Sequence, residues 1–134
     1  MMSTMVFVNF PVKNVKESTR FYEALGFKLN PDFSSEDTSC MIWDDNFFIM
    51  LLEHDKYQFF TPGRTVADNT TTSSALIAFS MASADEVKKF GDIARENGGN
   101  VYQIDTGIPE EHMYGLEIQD LDGNTLEPMW MAMP

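Results

Sequence analysis

The stretch "LIAFSMASADEVKKFGDIARENGGNV", residues 76 to 101, decides the fold. It opens as a β-rich apolar run. Ser83 follows, with Glu86 three residues on, and apolar side chains then recur at Val87, Phe90, Ile93 and Ala94. Ser83 and Glu86 form a capping-box pattern, the four apolar residues share one helical face, and Gly98-Gly99 stops the helix. Strand, capped helix and a returning strand at about 100–105 are the prediction. Residues 5 to 27 carry the same order. "MVFVNFPV" (5–12) is strand-like and Asn14 with Glu17 offers a cap. Phe21, Tyr22 and Leu25 fall at helical spacing, and Gly26 ends the run.

Further strands follow in each half. In the first they are "FKLN" (27–30), "SCMIWD" (39–44) and "NFFIMLL" (46–52), the last two joined at Asp45-Asn46. In the second they are 113–120 and 124–131, joined through Asp122-Gly123. Residues 53–73 have no strong period; Pro62-Gly63 and the threonine run mark a connection, with a short helix before it. The chain therefore reads βαβββ, linker, βαβββ, a duplication visible in element order rather than residue identity. The expectation is an α+β single domain of two βαβββ modules, about 4–60 and 73–134 with a linker at about 61–72. The modules are expected to make a curled, half-barrel-like mixed sheet, each needing the other to cover its apolar face. The concave side of such a sheet is a natural cleft for a small molecule.

The composition excludes several classes. With 9 basic and 21 acidic residues the formal net charge is -12, which disfavours nucleic acid and anionic membranes as partners. No apolar run reaches the roughly 18 residues of a membrane span. "MMSTMVFVNFPVKNV" lacks the layout of a secretion signal. The single cysteine, Cys40, rules out an internal disulfide and suits a reducing compartment, so a cytoplasmic location is expected.

The segments "PVKNVKESTRFYEALGF" (11–27), "CMIWDDNFFIMLLEHDKYQFF" (40–60), "LIAFSMASADEVKKFGDIARENGGNV" (76–101) and "QDLDGNTLEPMW" (119–130) resemble the glyoxalase/bleomycin-resistance/extradiol-dioxygenase group, the vicinal oxygen chelate (VOC) superfamily. The resemblance points to a bacterial subgroup of predicted lactoylglutathione lyases. It covers nearly the whole chain and speaks to fold more than to reaction, because the fold hosts isomerases, dioxygenases, transferases and drug-sequestering proteins. It also implies a homodimer with paired clefts. In metal-dependent members four side chains, one from each quarter of the duplicated sheet, hold the ion. Their positions fall here on Phe7, Met50, Leu76 and Glu127. Only Glu127 is a hard donor; Phe and Leu offer none, and a thioether suits soft metals. A slip of the alignment around Met50 brings in Glu53 or His54 and still leaves too few ligands. Neither a metal site nor another cofactor is expected, nor the glutathione-dependent glyoxalase reaction.

Strand alternation predicts what surrounds Glu127. Two-residue turns would pair Glu127 with Ile118, Met50 with Met41, and Phe48 with Trp43, placing Tyr114, Leu116, Met129 and Met131 on the Glu127 face and Cys40 away from the pocket. With the convergence that the resemblance implies, the ligand-binding set is Phe7, Asn9, Met41, Trp43, Phe48, Met50, Leu76 and His112. Glu127 and Tyr114 are then the candidate catalytic pair. Burial disfavours a charged carboxylate, so Glu127 is expected above its usual range unless donors such as Asn9, Tyr114 or His112 stabilise it. Three readings stay open. One is a metal-independent lyase or isomerase using Glu127 as acid or base on a small molecule. Another is a bleomycin-resistance-like protein that only sequesters its ligand, and the third is a metal enzyme with displaced ligands. A satisfied structural glutamate is the plain alternative to all three. His54 and His112 read as surface groups, and Cys40 as a buried inert thiol.

Overall fold

In the computed structural model, residues 3–133 are described. The chain divides into two compact units, Met1–Asp68 and Asn69–Pro134.

The first unit runs β1 (Val6–Val12), α1 (Val15–Ala24), β2 (Lys28–Asn30), β3 (Thr38–Ile42), β4 (Phe47–Glu53) and α2 (His54–Phe60), with a 3₁₀ turn at Pro31–Phe33 after β2. Its sheet has the order β1-β4-β3-β2; β1 and β4 are parallel and the other pairs antiparallel. A parallel β1–β4 pair requires a crossover, and α1 with the intervening hairpin supplies it. Asn14 caps α1 as expected, its side chain accepting the Glu17 N–H at 3.1 Å. The Val15 N–H is taken from further away, by the Glu53 carboxylate at the end of β4, at 3.0 Å. One sheet face packs on the helix: Phe10, Val12, Met41, Ile49 and Leu51 are buried with Val15, Phe21 and Tyr22. Fully burying such side chains contributes about 1.5–3 kcal/mol each.

The second unit runs β5 (Leu76–Ser80), α3 (Ala84–Glu96), β6 (Asn100–Tyr102), β7 (Met113–Gly115), β8 (Glu117–Gln119) and β9 (Thr125–Met131). The strand expected at 113–120 is thus two short pieces, both laid against β9 in one register. The sheet order is β5-β9-β8-β6, with β7 also on β9 and β5 parallel to β9. Ser83 caps α3 by accepting the Glu86 N–H at 3.1 Å, while the Glu86 carboxylate accepts the Ala82 N–H at 3.3 Å. The buried face of α3 is Val87, Phe90, Gly91 and Ala94; Gly91, not the expected Ile93, completes it. A Cβ on Gly91 would lie 2.6 Å from Leu116 Cδ1, so its absence is what lets β7–β8 come this close to the helix.

The units repeat one another in element order, and the fold class is mixed α+β, as the sequence predicts. Among the described residues the strands form two mixed sheets, one of four strands and one of five. Among the described residues no helix is long and apolar enough to cross a membrane.

Candidate functional site

The geometry around Glu127 follows from the turn that precedes it. Asp122-Gly123 is not a two-residue turn. The Asp120 N–H donates to the Asn124 carbonyl at 2.9 Å, which closes a three-residue loop of Leu121, Asp122 and Gly123. Gly123 sits at φ 83°, the left-handed conformation that such loops need at their third position. Asp120 is buried, and its carboxylate accepts the N–H groups of Asp122 (2.9 Å) and Asn124 (3.0 Å) and the Asn124 side-chain amide (3.0 Å). Asn69 donates to Asn124 Oδ1 at 2.9 Å and accepts from Ser74 at 2.9 Å, fixing the start of the unit to this loop.

One extra loop residue slips the register by one, and a one-residue slip exchanges the two faces of the partner strand. Ile118 pairs with Leu126, not Glu127, and Gly115 pairs with Met129. The same register sets Glu117 across from Glu127. The expected Tyr114–Glu127 neighbourhood is therefore corrected. Tyr114 pairs with Trp130, on the face turned toward α3, where the Lys88 ammonium lies 5.0 Å from its ring centroid. Leu116 is on that face too, against Gly91. The Glu127 face carries Met113, Gly115, Glu117, Met129 and Met131 from β7–β9, and Ala78 from β5 beside Glu127.

Glu117 and Glu127 are half-buried and share a hydrogen bond. Loss of water around Glu117, then that hydrogen bond, then the nearby Glu127 charge push the Glu117 carboxyl up to about 7. The pair stands in a cavity of about 470 Å³ whose other walls include Ile104, Ile108, Met113 and Met129, with Asp105 the third carboxylate. Two facing carboxylates, one of them protonated near neutrality, can donate and accept a proton at one place. Sequence reasoning missed Glu117 because a two-residue turn puts it on the opposite face. The signal that could have found it is the Asp120–Asn124 pair flanking a three-residue loop with glycine third.

The other predicted residues are divided by the same effect. In the first unit Trp43 N–H donates to the Phe47 carbonyl at 3.0 Å, and the Asp44 carboxylate accepts the N–H groups of Asn46 and Phe47 at 2.8 Å each. The loop again has three residues, so Met50 pairs with Cys40 and Phe48 with Ile42, against the expected Met41 and Trp43. Phe7 stacks on Phe48 with centroids 4.6 Å apart, and Asn9 is beside Met50, so these four residues do share a face. Cys40 joins that face, contrary to expectation, as a buried thiol pushed up by burial. Met41 is fully buried on the helix side, and Trp43 packs on Phe27 at 4.9 Å. Leu76 is 56% exposed and pairs with Thr125, two residues along from the Ala78–Glu127 pair and on the same face. His112 is exposed, its carbonyl accepting the Ala132 N–H at 2.9 Å.

A family model, described as the Glyoxalase/Bleomycin resistance protein/Dioxygenase superfamily, matches residues 4–127. The chain belongs to this superfamily. No curated protein sequence matches it at a significant level. Among solved structures it is similar to the hypothetical protein SA1046 from S. aureus (25% identity, TM-score 0.75, covering 97% of this chain and 95% of that one). It is also similar to a glyoxalase/bleomycin resistance protein/dioxygenase family enzyme from Burkholderia phytofirmans PsJN (16%, TM-score 0.78, 97% and 100%). A third similar structure is the fosfomycin resistance protein FosX from Listeria monocytogenes (15%, TM-score 0.68, 100% and 95%). At these last two identities the likeness speaks to fold alone. FosX has also been crystallised with Mn(II) and sulfate.

The donor set of this VOC chain does not fit the divalent ion that the superfamily resemblance implies. Phe7, Met50 and Leu76, at three of the four positions where the resemblance places donors, offer no hard donor, and Glu127 shares its hydrogen bond with another carboxyl group. Among the described residues no group of three or more His, Cys, Asp or Glu could hold a metal.

Proposed function

We propose that this VOC-superfamily protein binds a small organic molecule in the Glu117–Glu127 cavity and acts on it by proton transfer, without a divalent ion. The observation that carries this reading is the placement of Glu117 across the β8–β9 ladder from Glu127 on the cavity wall. Glu127 serves as acid or base toward the ligand, and Glu117 holds or returns the proton. A group that titrates near 7 is well matched to such work at neutral pH. A lyase or isomerase reaction of glyoxalase type, on a substrate with an acidic C–H, suits this chemistry. The metal-dependent lactoylglutathione reaction does not, since its ion has too few donors here.

The cavity is equally suited to holding a ligand without turnover, as drug-sequestering members of the superfamily do; its apolar walls of isoleucine and methionine favour binding by themselves. Glu127→Gln separates the two. Loss of turnover with retained binding supports the acid–base reading, and unchanged turnover of an identified substrate sinks it. Metal analysis after chelator-free purification tests the rest: no stoichiometric divalent ion is expected, and one equivalent of a bound ion contradicts the proposal. The reading extends to a cytoplasmic homodimer, for which the single cysteine and the superfamily relationship are the support.

A further inference from the structure

The charge of the cavity narrows what it can hold. Its lining contains Asp105, Glu117 and Glu127 and no lysine, arginine or histidine. The whole second unit has 11 Asp and Glu against 3 Lys and Arg. Of these cations, Lys88 is committed to Glu110 at 3.1 Å and to the Tyr114 ring, on the other side of the sheet from Glu127. A ligand carboxylate, sulfonate or phosphonate entering the cavity would meet fixed negative charge and no counter-charge. Low-dielectric walls raise that penalty. An ammonium group meets the opposite situation, with acceptors from two adjacent strands facing it. The apolar rest of such a molecule has its own surface, because Ile104 and Ile108 on the cavity wall are 57% and 48% exposed.

We infer that the ligand of this cavity is an organic cation, an amine or guanidine with an apolar body, its charged group seated between Glu117 and Glu127 and its body against Ile104, Ile108 and Met129. The assignment rests on the proposed function for the location of the site, and the carboxylate geometry supplies the ligand class. An ammonium between the two groups replaces their shared hydrogen bond with charge-assisted bonds to each. The proton stays on Glu117, whose carbonyl oxygen accepts from the ammonium while the Glu127 carboxylate supplies the counter-charge.

The test uses the full chain with methyl-labelled methionine and three probes of one shape: benzylammonium, benzyl alcohol and benzoate. Chelator is present throughout. Benzylammonium is expected to shift the Met113 and Met129 methyl resonances saturably, with benzyl alcohol at least roughly tenfold weaker and benzoate silent. Glu117→Gln with Glu127→Gln should remove the preference for the cation while leaving the methyl spectrum folded. If benzoate or benzyl alcohol binds as well as benzylammonium, or if benzylammonium leaves both methyls unmoved, the inference is overturned and the metal-free reading still stands. A parallel arm with Mn²⁺ in place of chelator tests that reading separately. Stoichiometric broadening of the Met129 methyl would contradict the metal-free site, whatever the probes show.

Discussion

Glu117 stands across the β8–β9 ladder from Glu127, and the two carboxyl groups share a hydrogen bond on the wall of a cavity. Like charges directly opposite on adjacent strands destabilise a sheet, and the raised Glu117 carboxyl relieves that repulsion wherever it is protonated.

That proton has a thermodynamic consequence. Glu117 is raised in the folded state from 4.5 to about 7, so between these values the folded protein holds a proton the unfolded chain has released. Stability from this group is present in full below pH 4.5 and is lost as pH rises through 7. The loss is on the order of 1–2 kcal/mol, the full linkage value being reduced because water reaches the half-buried group. Glu117→Gln should therefore raise stability at pH 8 relative to the native chain and have little effect at pH 4.5. Urea unfolding at both pH values measures it. Equal effects at both would mean that the pair shares no proton.

The loop that sets the register is the next target. A Cβ at Gly123 would lie 2.2 Å from the Asn69 carbonyl oxygen, and φ 83° disfavours any L side chain. Gly123→Ala should cost roughly 2–4 kcal/mol, because the obstacle is backbone and the conformation is strained as well. Asp120→Ala, which strips three donors of their acceptor, should cost a similar amount, about 2–4 kcal/mol. Thermal or denaturant unfolding reads both. Near-neutral changes would mean that the loop is not what holds β8 on β9.

In the first unit the slipped register distinguishes two methionines. Met41 is fully buried toward α1, so Met41→Ala should cost about 2–4 kcal/mol. Met50 is half-buried on the opposite face beside Phe48 and Asn9, so Met50→Ala should cost about 1 kcal/mol or less. The predicted two-residue turn would put the two on one face with comparable costs, and comparable measured values would restore that register.

These contrasts mark what the sequence makes legible. Strand–helix–strand order, both caps and the duplication are written in local patterns, where Asn14, Ser83, Val87 and Phe90 each act within a few residues of themselves. Facing is a different matter. In each hairpin one further residue enters the loop, held by an aspartate, Asp44 or Asp120, that accepts several N–H groups. Each extra residue exchanges the two faces of a strand. Met41, Trp43 and Tyr114 leave the predicted surface by this route, and Cys40 and Glu117 enter it. Glu127 and Met50 stay on their faces, because it is their partner strands that slip. The clamp by Asn69 spans 55 positions and has no local signature at all.

The proposed site requires Glu117 and Glu127 to hold one proton between them in a cavity that works without a metal. The decisive experiment is carboxyl-detected NMR of ¹³C-glutamate protein, titrated from pH 4 to 9 with chelator and assigned through Glu117→Gln and Glu127→Gln. The Glu117 carboxyl should titrate with a midpoint near 7, and Glu127→Gln should lower that midpoint. A Glu117 carboxyl that titrates in the ordinary range near 4.5, unmoved by the change at Glu127, would contradict it.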